Sequence, residues 1–223
     1  MFSAAIFDMD GLLIDSERAT MKAWIGAAKH YGIDFRPSDY LPVIGQTTVD
    51  SDWILISRLG SQSTFHQVSE KVSELLEMAP PDIRFPLKPG AFELLLSLRT
   101  KGVPCAVASS SKVSEIRERL AAVGVLEFFQ ALSGGDEVSK GKPDPSLYQL
   151  AAARLGMSPA NCLAFEDSEN GALAAFGAGS PVVLVPDLKP PCTSVASHCF
   201  HILNSLHEAQ EHISCWFAFQ GGA

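Results

Sequence analysis

Short apolar runs that end in polar residues recur along this chain, and their lengths predict buried strands. The first run covers residues 4–7, and the others cover residues 103–108, 131–132, 162–165 and 182–185. After the second run, each strand pattern is followed by a segment whose apolar residues lie three and four positions apart. This alternation predicts parallel strands connected by helices that cover both faces of the sheet. We therefore predict an α/β fold.

The segment between the first two strand patterns is different, because it contains helical patterns with no strand between them. Residues 17–31 carry one apolar stripe, and residues 47–59 carry another that consists of Val49, Trp53, Ile56 and Leu59. Thr64, with Gln67 three residues later, predicts a capping box at the start of a further helix. An all-helical block of about 70 residues after a single strand indicates a separate bundle.

These patterns together predict two structural units. A Rossmann-like parallel sheet is predicted for residues 1–15 and 84–223, and an inserted helical-bundle cap for residues 16–83. Phe200–Leu203 is a candidate edge strand, and a last helix is predicted from about Ser205. The tail from residue 199 carries no recognisable functional pattern.

Composition narrows the classes of partner and the compartment. The 223 residues include 17 basic and 25 acidic side chains, for a formal charge of −8, and no run of basic residues exceeds two. We therefore expect neither nucleic acid nor a membrane as a partner. The five cysteines are odd in number and form no CxxC motif, which favours a reduced, cytoplasmic protein. We expect a monomer or a weak homodimer.

Two carboxylates at the end of the first strand are the strongest chemical signal. Asp8 and Asp10 follow the apolar run directly, and Gly11 allows the chain to turn sharply. Like charges this close are costly unless a divalent cation or a proton is shared between them. One carboxylate can attack an electrophile such as phosphorus, and the other can transfer protons. A helix cap or a turn is the structural alternative for either residue.

Three further polar groups lie at predicted strand ends or helix starts. Ser109 and Ser110 follow a strand and precede a helix, where hydroxyl and backbone N–H groups can bind phosphate. Lys142 precedes a helix, and its ammonium group could neutralise the charge of Asp8 and of a phosphoryl group. Lys140, two residues earlier, is the other candidate for this role. Glu166 and Asp167 end another strand and offer hard oxygen ligands suited to Mg²⁺. For each group alone, ordinary capping or a solvated surface charge is the structural alternative.

The four groups, in this order, resemble the motifs of the haloacid dehalogenase superfamily, in its β-phosphoglucomutase-like phosphatase branch. FDMDGLLIDS is similar to DxDGxxxDS, CAVASSS to the serine motif, KPDP to the lysine motif and EDSENG to EDSxxG. The resemblance implies Mg²⁺-dependent phosphoryl transfer in which Asp8 attacks phosphorus and Asp10 serves as acid and then base. It further implies that Mg²⁺ is held by Asp8, the Asp10 carbonyl and Asp167, with Glu166 binding directly or through water. Lys142 would neutralise charge, and Ser109 and Ser110 would bind the phosphoryl group.

Within this branch, the sequence favours a phosphatase over a mutase. The mutase has a histidine at the position of Thr20 and an arginine at the position of Thr48, and threonine cannot hold a second phosphate as arginine does. A small phosphomonoester, such as a sugar phosphate or phosphoglycolate, is the expected substrate. Gly45, Gln46 and Thr47 are candidate specificity residues, whereas Trp24 is expected to pack in the core. A non-catalytic phosphoacceptor domain is a remaining alternative, although it would need neither Asp10 nor a cap.

Overall fold

The computed structural model describes residues 1–44 and 48–217, and its centre is one six-stranded sheet. The strands are β1 (Ala4–Phe7), β2 (Cys105–Ser109), β3 (Ala131–Gly134), β4 (Cys162–Glu166), β5 (Val182–Leu184) and β6 (His201–Ile202). They lie in the order β3-β2-β1-β4-β5-β6, and all neighbours are parallel. The strand order reverses beside β1, and ligands in open α/β sheets bind at such a reversal, beyond the carboxyl ends of the strands. The predicted fold class is confirmed.

The sheet is buried on both faces because successive side chains point to opposite sides. Ala5 and Phe7 of β1 belong to one apolar cluster, and Ala4 and Ile6 belong to the other. The first face is covered by α6 (Ala91–Thr100), α7 (Val113–Ala122) and α11 (Leu206–Trp216). The second face is covered by α8 (Ser146–Arg154), α9 (Glu169–Ala178) and α10 (Thr193–Ala196). This burial explains why the strands are continuous apolar runs.

The helices between β1 and β2 pack around an apolar cluster of their own. They are α1 (Ser16–His30), α2 (Pro37–Tyr40), α3 (Thr48–Leu59), α4 (Gln62–Glu77) and α5 (Pro81–Arg84). Trp24 is buried in this cluster, as predicted. Its ring stacks on Phe65. The two connections to the sheet run side by side, since the Asp15 N–H donates to the Pro86 carbonyl and the Lys88 N–H to the Leu13 carbonyl. That residues 16–83 form a separate cap domain stays a prediction.

Two details of the predicted helices are wrong. The capping box at Thr64 is not the start of α4, because Ser61 caps the helix three residues earlier and accepts from the Thr64 N–H at 3.0 Å. In α3, Leu59 is buried and Ile56 packs against the cluster, as the predicted stripe requires, but Val49 and Trp53 are 66% and 69% exposed and Leu55 is buried instead. The helix therefore buries a face that is rotated from the predicted one.

In the described ranges, every helix is too short or too polar to cross a membrane. This finding agrees with the sequence, in which no apolar run approaches the length of a span.

A bidentate ion pair fastens the segment after β3 to the last turn of α8. The two Arg154 amino groups donate to the two Glu137 oxygens at 2.7 and 2.6 Å. Arg154 also donates to the Leu132 carbonyl within β3. The hydrogen bonds from Arg154 to the Glu137 carboxylate lower the pKa of Glu137 to about 2.

We predict that Glu137→Gln lowers the free energy of unfolding by about 1 kcal/mol at pH 7, because the pair is partly solvated. The pKa of Glu137 is lower in the folded protein than the value of about 4.3 expected for the unfolded chain. The ion pair therefore stabilises fully above about pH 4.3, and this contribution disappears as the pH falls towards 2. Urea unfolding at several pH values measures the difference.

Glu127→Gln is the matched control, because Glu127 is 74% exposed and lies 3.5 Å from Arg99. Its free energy of unfolding should stay within about 0.5 kcal/mol of wild type at every pH. Equal effects of the two substitutions on the free energy of unfolding would contradict a stabilising role for the Glu137–Arg154 ion pair.

Candidate active site

The candidate site lies at the carboxyl ends of β1 and β4, which are neighbours at the reversal of strand order. Asp8 follows β1, and its backbone N–H donates to the Phe165 carbonyl of β4 at 3.0 Å. Glu166 ends β4, and Asp167 follows it. Because the two strands are parallel and in register, acidic residues far apart in the chain meet at one edge of the sheet.

Three carboxylates converge at this edge. Oxygens of Asp8, Glu166 and Asp167 all lie within 4.8 Å of one another, and Asp8 and Glu166 are buried. Burial raises the pKa of Asp8 well above its usual value, and the charge of Glu166 adds to the rise while Lys142 opposes it. Burial likewise raises the pKa of Asp167, followed by the charges of Asp8 and Glu166. This arrangement is costly without a cation.

Two glycines make the close approach possible. A Cβ atom on Gly11 would lie 2.1 Å from Asp167 Oδ2, and a Cβ atom on Gly171 would lie 1.9 Å from Glu166 Oε1. Gly11 also has φ of +86°, a conformation that other residues rarely adopt. The glycine in each acidic motif is therefore required by the packing of the carboxylates.

Lys142 supplies a positive charge to the cluster. Its Nζ lies 2.5 Å from Asp8 Oδ1 and 2.5 Å from Glu166 Oε1, and its side chain is 7% exposed. Although burial favours the neutral amine, Asp8 and Glu166 raise the pKa of Lys142 above its usual value. Lys142 rather than Lys140 therefore contacts the two buried carboxylates, and its role in neutralising charge stays a prediction.

Glu166 is the most completely hydrogen-bonded member of the cluster. Oε1 accepts from Lys142 and from the Tyr148 hydroxyl, the latter at 2.7 Å. Oε2 accepts from the Asp167 N–H and from the N–H and hydroxyl of Ser168, at 3.1 to 3.3 Å. In this structure, Glu166 therefore positions Lys142, and its predicted role as a metal ligand stays a prediction. Sequence analysis did not identify Tyr148, which lies inside α8.

Asp10 lines the same cavity, but its carboxylate is not part of the cluster. Arg119 of α7 donates to Oδ1 at 2.8 Å, and the Ser111 hydroxyl donates to Oδ2 at 2.9 Å. The Arg119 guanidinium also lies over the Phe85 ring, 4.8 Å from its centroid. Sequence analysis missed both partners of Asp10, although Ser111 belongs to the quoted serine motif.

Ser109 and Ser110 lie where the sequence predicts, at the carboxyl end of β2 and before α7. Ser109 is buried, and its hydroxyl accepts from the Ser111 N–H at 3.1 Å. Ser110 is exposed and lines the cavity. Both serines therefore line the cavity that Asp8 lines.

The cavity has a volume of about 610 Å³, within the usual range for small-molecule sites. It lies between the sheet edge and the helical insertion. Its lining from the sheet edge includes Asp8, Asp10, Ser109, Ser110, Lys142, Asp167 and Asn170, and its lining from the insertion includes Glu17, Tyr40, Val43, Ile44, Val49 and Ser51. The predicted specificity residues Gly45, Gln46 and Thr47 lie outside the described residues. Glu17 and Tyr40 were not predicted.

Comparison with known proteins shows the family of this chain. The sequence profile of a hydrolase family, described as haloacid dehalogenase-like hydrolase, matches residues 2–179. The phosphorylated carbohydrates phosphatase of Thermotoga maritima is 31% identical over 176 residues, which cover 79% of this chain and 81% of that protein.

Two other relatives extend the comparison. The bifunctional riboflavin kinase/FMN phosphatase of Arabidopsis thaliana is 31% identical over 205 residues, or 92% of this chain, which spans only 53% of that longer protein. A solved structure from Thermotoga maritima, provisionally identified as a β-phosphoglucomutase, is 26% identical with a TM-score of 0.77. The match covers 95% of this chain and 98% of that one. The chain therefore belongs to the haloacid dehalogenase-like hydrolases, in the phosphatase branch that is similar to β-phosphoglucomutase, as its four motifs predict.

Proposed function

We propose that the protein is a Mg²⁺-dependent phosphatase that hydrolyses a small phosphomonoester through a phosphorylated Asp8. One observation carries the proposal: Asp8 lies in contact with the Lys142 ammonium and beside Asp167, and all three residues line a cavity of about 610 Å³. A buried carboxylate with a fixed cation beside it can approach a phosphoryl group that would otherwise repel it.

The residues present fit a hard divalent cation. Their donors are carboxylate oxygens, the ligands that Mg²⁺ prefers, and Gly11 leaves the space into which Asp167 fits. Asp8, Asp167 and the Asp10 carbonyl would hold the ion, and Glu166 would contribute directly or through water. When bound, Mg²⁺ supplies charge neutralisation for the phosphoryl oxygens and the nucleophile.

The side chains of this chain account for both halves of the reaction. An Asp8 oxygen forms a bond to phosphorus while the bond to the leaving oxygen breaks, and Asp10 donates the proton that the leaving oxygen needs. Asp10 then takes a proton from water, which attacks phosphorus, releases inorganic phosphate and restores Asp8. Lys142 balances the negative charge throughout, and Ser109 and Ser110 hold the phosphoryl oxygens.

The size of the cavity and the relatives both favour a small substrate. The relatives named above act on phosphorylated carbohydrates and on FMN, which are small phosphorylated metabolites. We propose a sugar phosphate or a phosphoglycolate-like compound for this chain, in the cytoplasm. Thr20 and Thr48 replace the histidine and arginine of the mutase, so we expect hydrolysis rather than isomerisation.

A screen of phosphorylated metabolites tests the proposal directly. With Mg²⁺, the protein should release inorganic phosphate from at least one small phosphomonoester, and a chelator should abolish the release. Asp8→Asn should lower the rate at least about a thousandfold, because the amide is a poor nucleophile. Asp34→Asn is the control, since Asp34 is an exposed acid paired only with Arg36 among the described residues, and this variant should retain wild-type activity. Release that persists in Asp8→Asn would contradict the proposal.

Asp10→Asn separates the two halves of the reaction. Turnover of an alkyl phosphate should fall by a factor of about 10² to 10⁴, because no group protonates the leaving oxygen. With p-nitrophenyl phosphate, whose leaving group needs no proton, the variant should accumulate a phosphoryl adduct, since no base activates water. Intact-protein mass spectrometry detects the adduct, and Asp8→Asn should show none.

Two outcomes would contradict this assignment. Wild-type turnover of the alkyl phosphate by Asp10→Asn would remove Asp10 from the reaction. A wild-type protein that becomes phosphorylated without releasing phosphate would instead indicate the non-catalytic acceptor domain.

A further inference from the structure

The carboxylate of Asp10 is held by two side chains of the segment that follows β2. Arg119 Nη1 donates to Oδ1 at 2.8 Å, and the Ser111 hydroxyl donates to Oδ2 at 2.9 Å. The same Arg119 nitrogen lies 3.5 Å from the Ser111 oxygen. Because each carboxylate oxygen has its own donor, the two contacts together fix the rotation of the Asp10 side chain.

Arg119 is itself supported from two sides. Its guanidinium lies over the Phe85 ring, 4.8 Å from the centroid, and Nη2 lies 3.4 Å from Glu115 Oε2, one turn earlier in α7. Phe85 is buried in the apolar cluster on the first face of the sheet. A planar guanidinium stacked on a fixed ring has a defined direction, which a flexible ammonium lacks. Arg119 is therefore built as a support for Asp10.

Arg119 lies outside the cavity that would hold the substrate. In the described part of the chain, the residues that line the cavity of about 610 Å³ include Asp10 but not Arg119. Arg119 instead lines a separate cavity between α4 and α7, together with Glu77 and Glu115. A substrate beside Asp8 thus meets the Asp10 carboxylate, and Arg119 contacts the site through that carboxylate.

Two negative groups of the cavity act on Asp10. The charge of Asp10 influences both Asp8 and Glu17, which line the same cavity. Repulsion between like charges favours rotations that carry the Asp10 carboxylate out of a defined position. The ion pair with Arg119 offsets this repulsion and leaves one preferred orientation.

We propose that Arg119 is a positioning residue, which together with Ser111 holds the Asp10 carboxylate in the orientation from which it transfers protons. The inference rests on the proposed phosphatase function and adds to it a residue that does not touch the substrate. Misplacement of a reacting group by about 1 Å can lower a rate about a hundredfold. Loss of Arg119 should therefore slow the steps that use Asp10 and spare a step that does not.

Hydrolysis of p-nitrophenyl phosphate separates these steps. Its leaving group needs no proton, whereas hydrolysis of the phosphoryl adduct on Asp8 needs a base for water. With Mg²⁺ present, single-turnover release of p-nitrophenolate measures formation of the adduct, and intact-protein mass spectrometry of quenched samples measures its decay.

In Arg119→Ala, the rate constant for decay of the adduct should fall about tenfold to a hundredfold, while that for its formation stays within about twofold of wild type. In Arg119→Lys, decay should slow by only about threefold to tenfold, because an ammonium can still donate to Oδ1. This variant gives the same comparison between decay and formation if Arg119→Ala does not fold.

A double variant tests whether Arg119 acts through Asp10. Asp10→Asn already removes the base, so the addition of Arg119→Ala should change the decay rate constant by less than about twofold. An equal effect of Arg119→Ala in both backgrounds would overturn the inference, because Arg119 would then act on the phosphoryl group or on the fold. Faster decay in Arg119→Ala would also overturn it, since the ion pair would then hold Asp10 away from its working position.

Arg117→Ala is the matched control, because Arg117 is an exposed arginine of the same helix. Both of its rate constants should equal those of wild type. An equal fall of both rate constants in a folded Arg119→Ala protein would overturn the inference.

The same experiment keeps the two proposals apart. If wild type forms and hydrolyses the adduct and Arg119→Ala does so at the same rates, the inference about Arg119 fails and the proposed function stands. If wild type with Mg²⁺ is neither phosphorylated by p-nitrophenyl phosphate nor able to release phosphate from any compound of the screen, both fail together.

Discussion

The buried ammonium of Lys142, held between Asp8 and Glu166, is the interaction on which the rest of the site depends. Without it, three carboxylates would meet at this sheet edge with no positive charge between them. Glu166 fixes the ammonium because Tyr148, Ser168 and a backbone N–H occupy its other acceptor positions. The result is a charge arrangement that is fixed before any ligand enters, as the proposed phosphoryl transfer requires.

The strand order makes this arrangement possible. Asp8 and Glu166 are far apart in the chain, but β1 and β4 are neighbours in the sheet, and their carboxyl ends coincide. The helical insertion leaves the sheet from the same edge and returns beside its own starting point. A residue in its first turn, Glu17, therefore lines the same cavity as Asp8 and Lys142.

The sequence predicts the parts of this structure that are encoded locally. Apolar runs predict five of the strands, and the polar residues that follow them predict where Asp8, Ser109 and Asp167 lie, because strand ends of a parallel sheet share one edge. Tyr148 and Arg119 could not be found this way. Both lie inside helices, where neither residue type nor spacing distinguishes a side chain that reaches the site. The exposed Val49 and Trp53 show the same limit, since periodicity marks several apolar faces and only packing decides which one is buried.

The central claim is that the three carboxylates and Lys142 form a site that holds one divalent cation. Titration calorimetry with Mg²⁺ tests this claim most directly, because it measures cation binding without any substrate. We predict saturable binding to one site in the wild-type protein, and a loss of affinity in Asp167→Asn that leaves the fold intact by circular dichroism. Binding in Asp167→Asn that equals wild type, or no binding to a folded wild-type protein, would contradict the account.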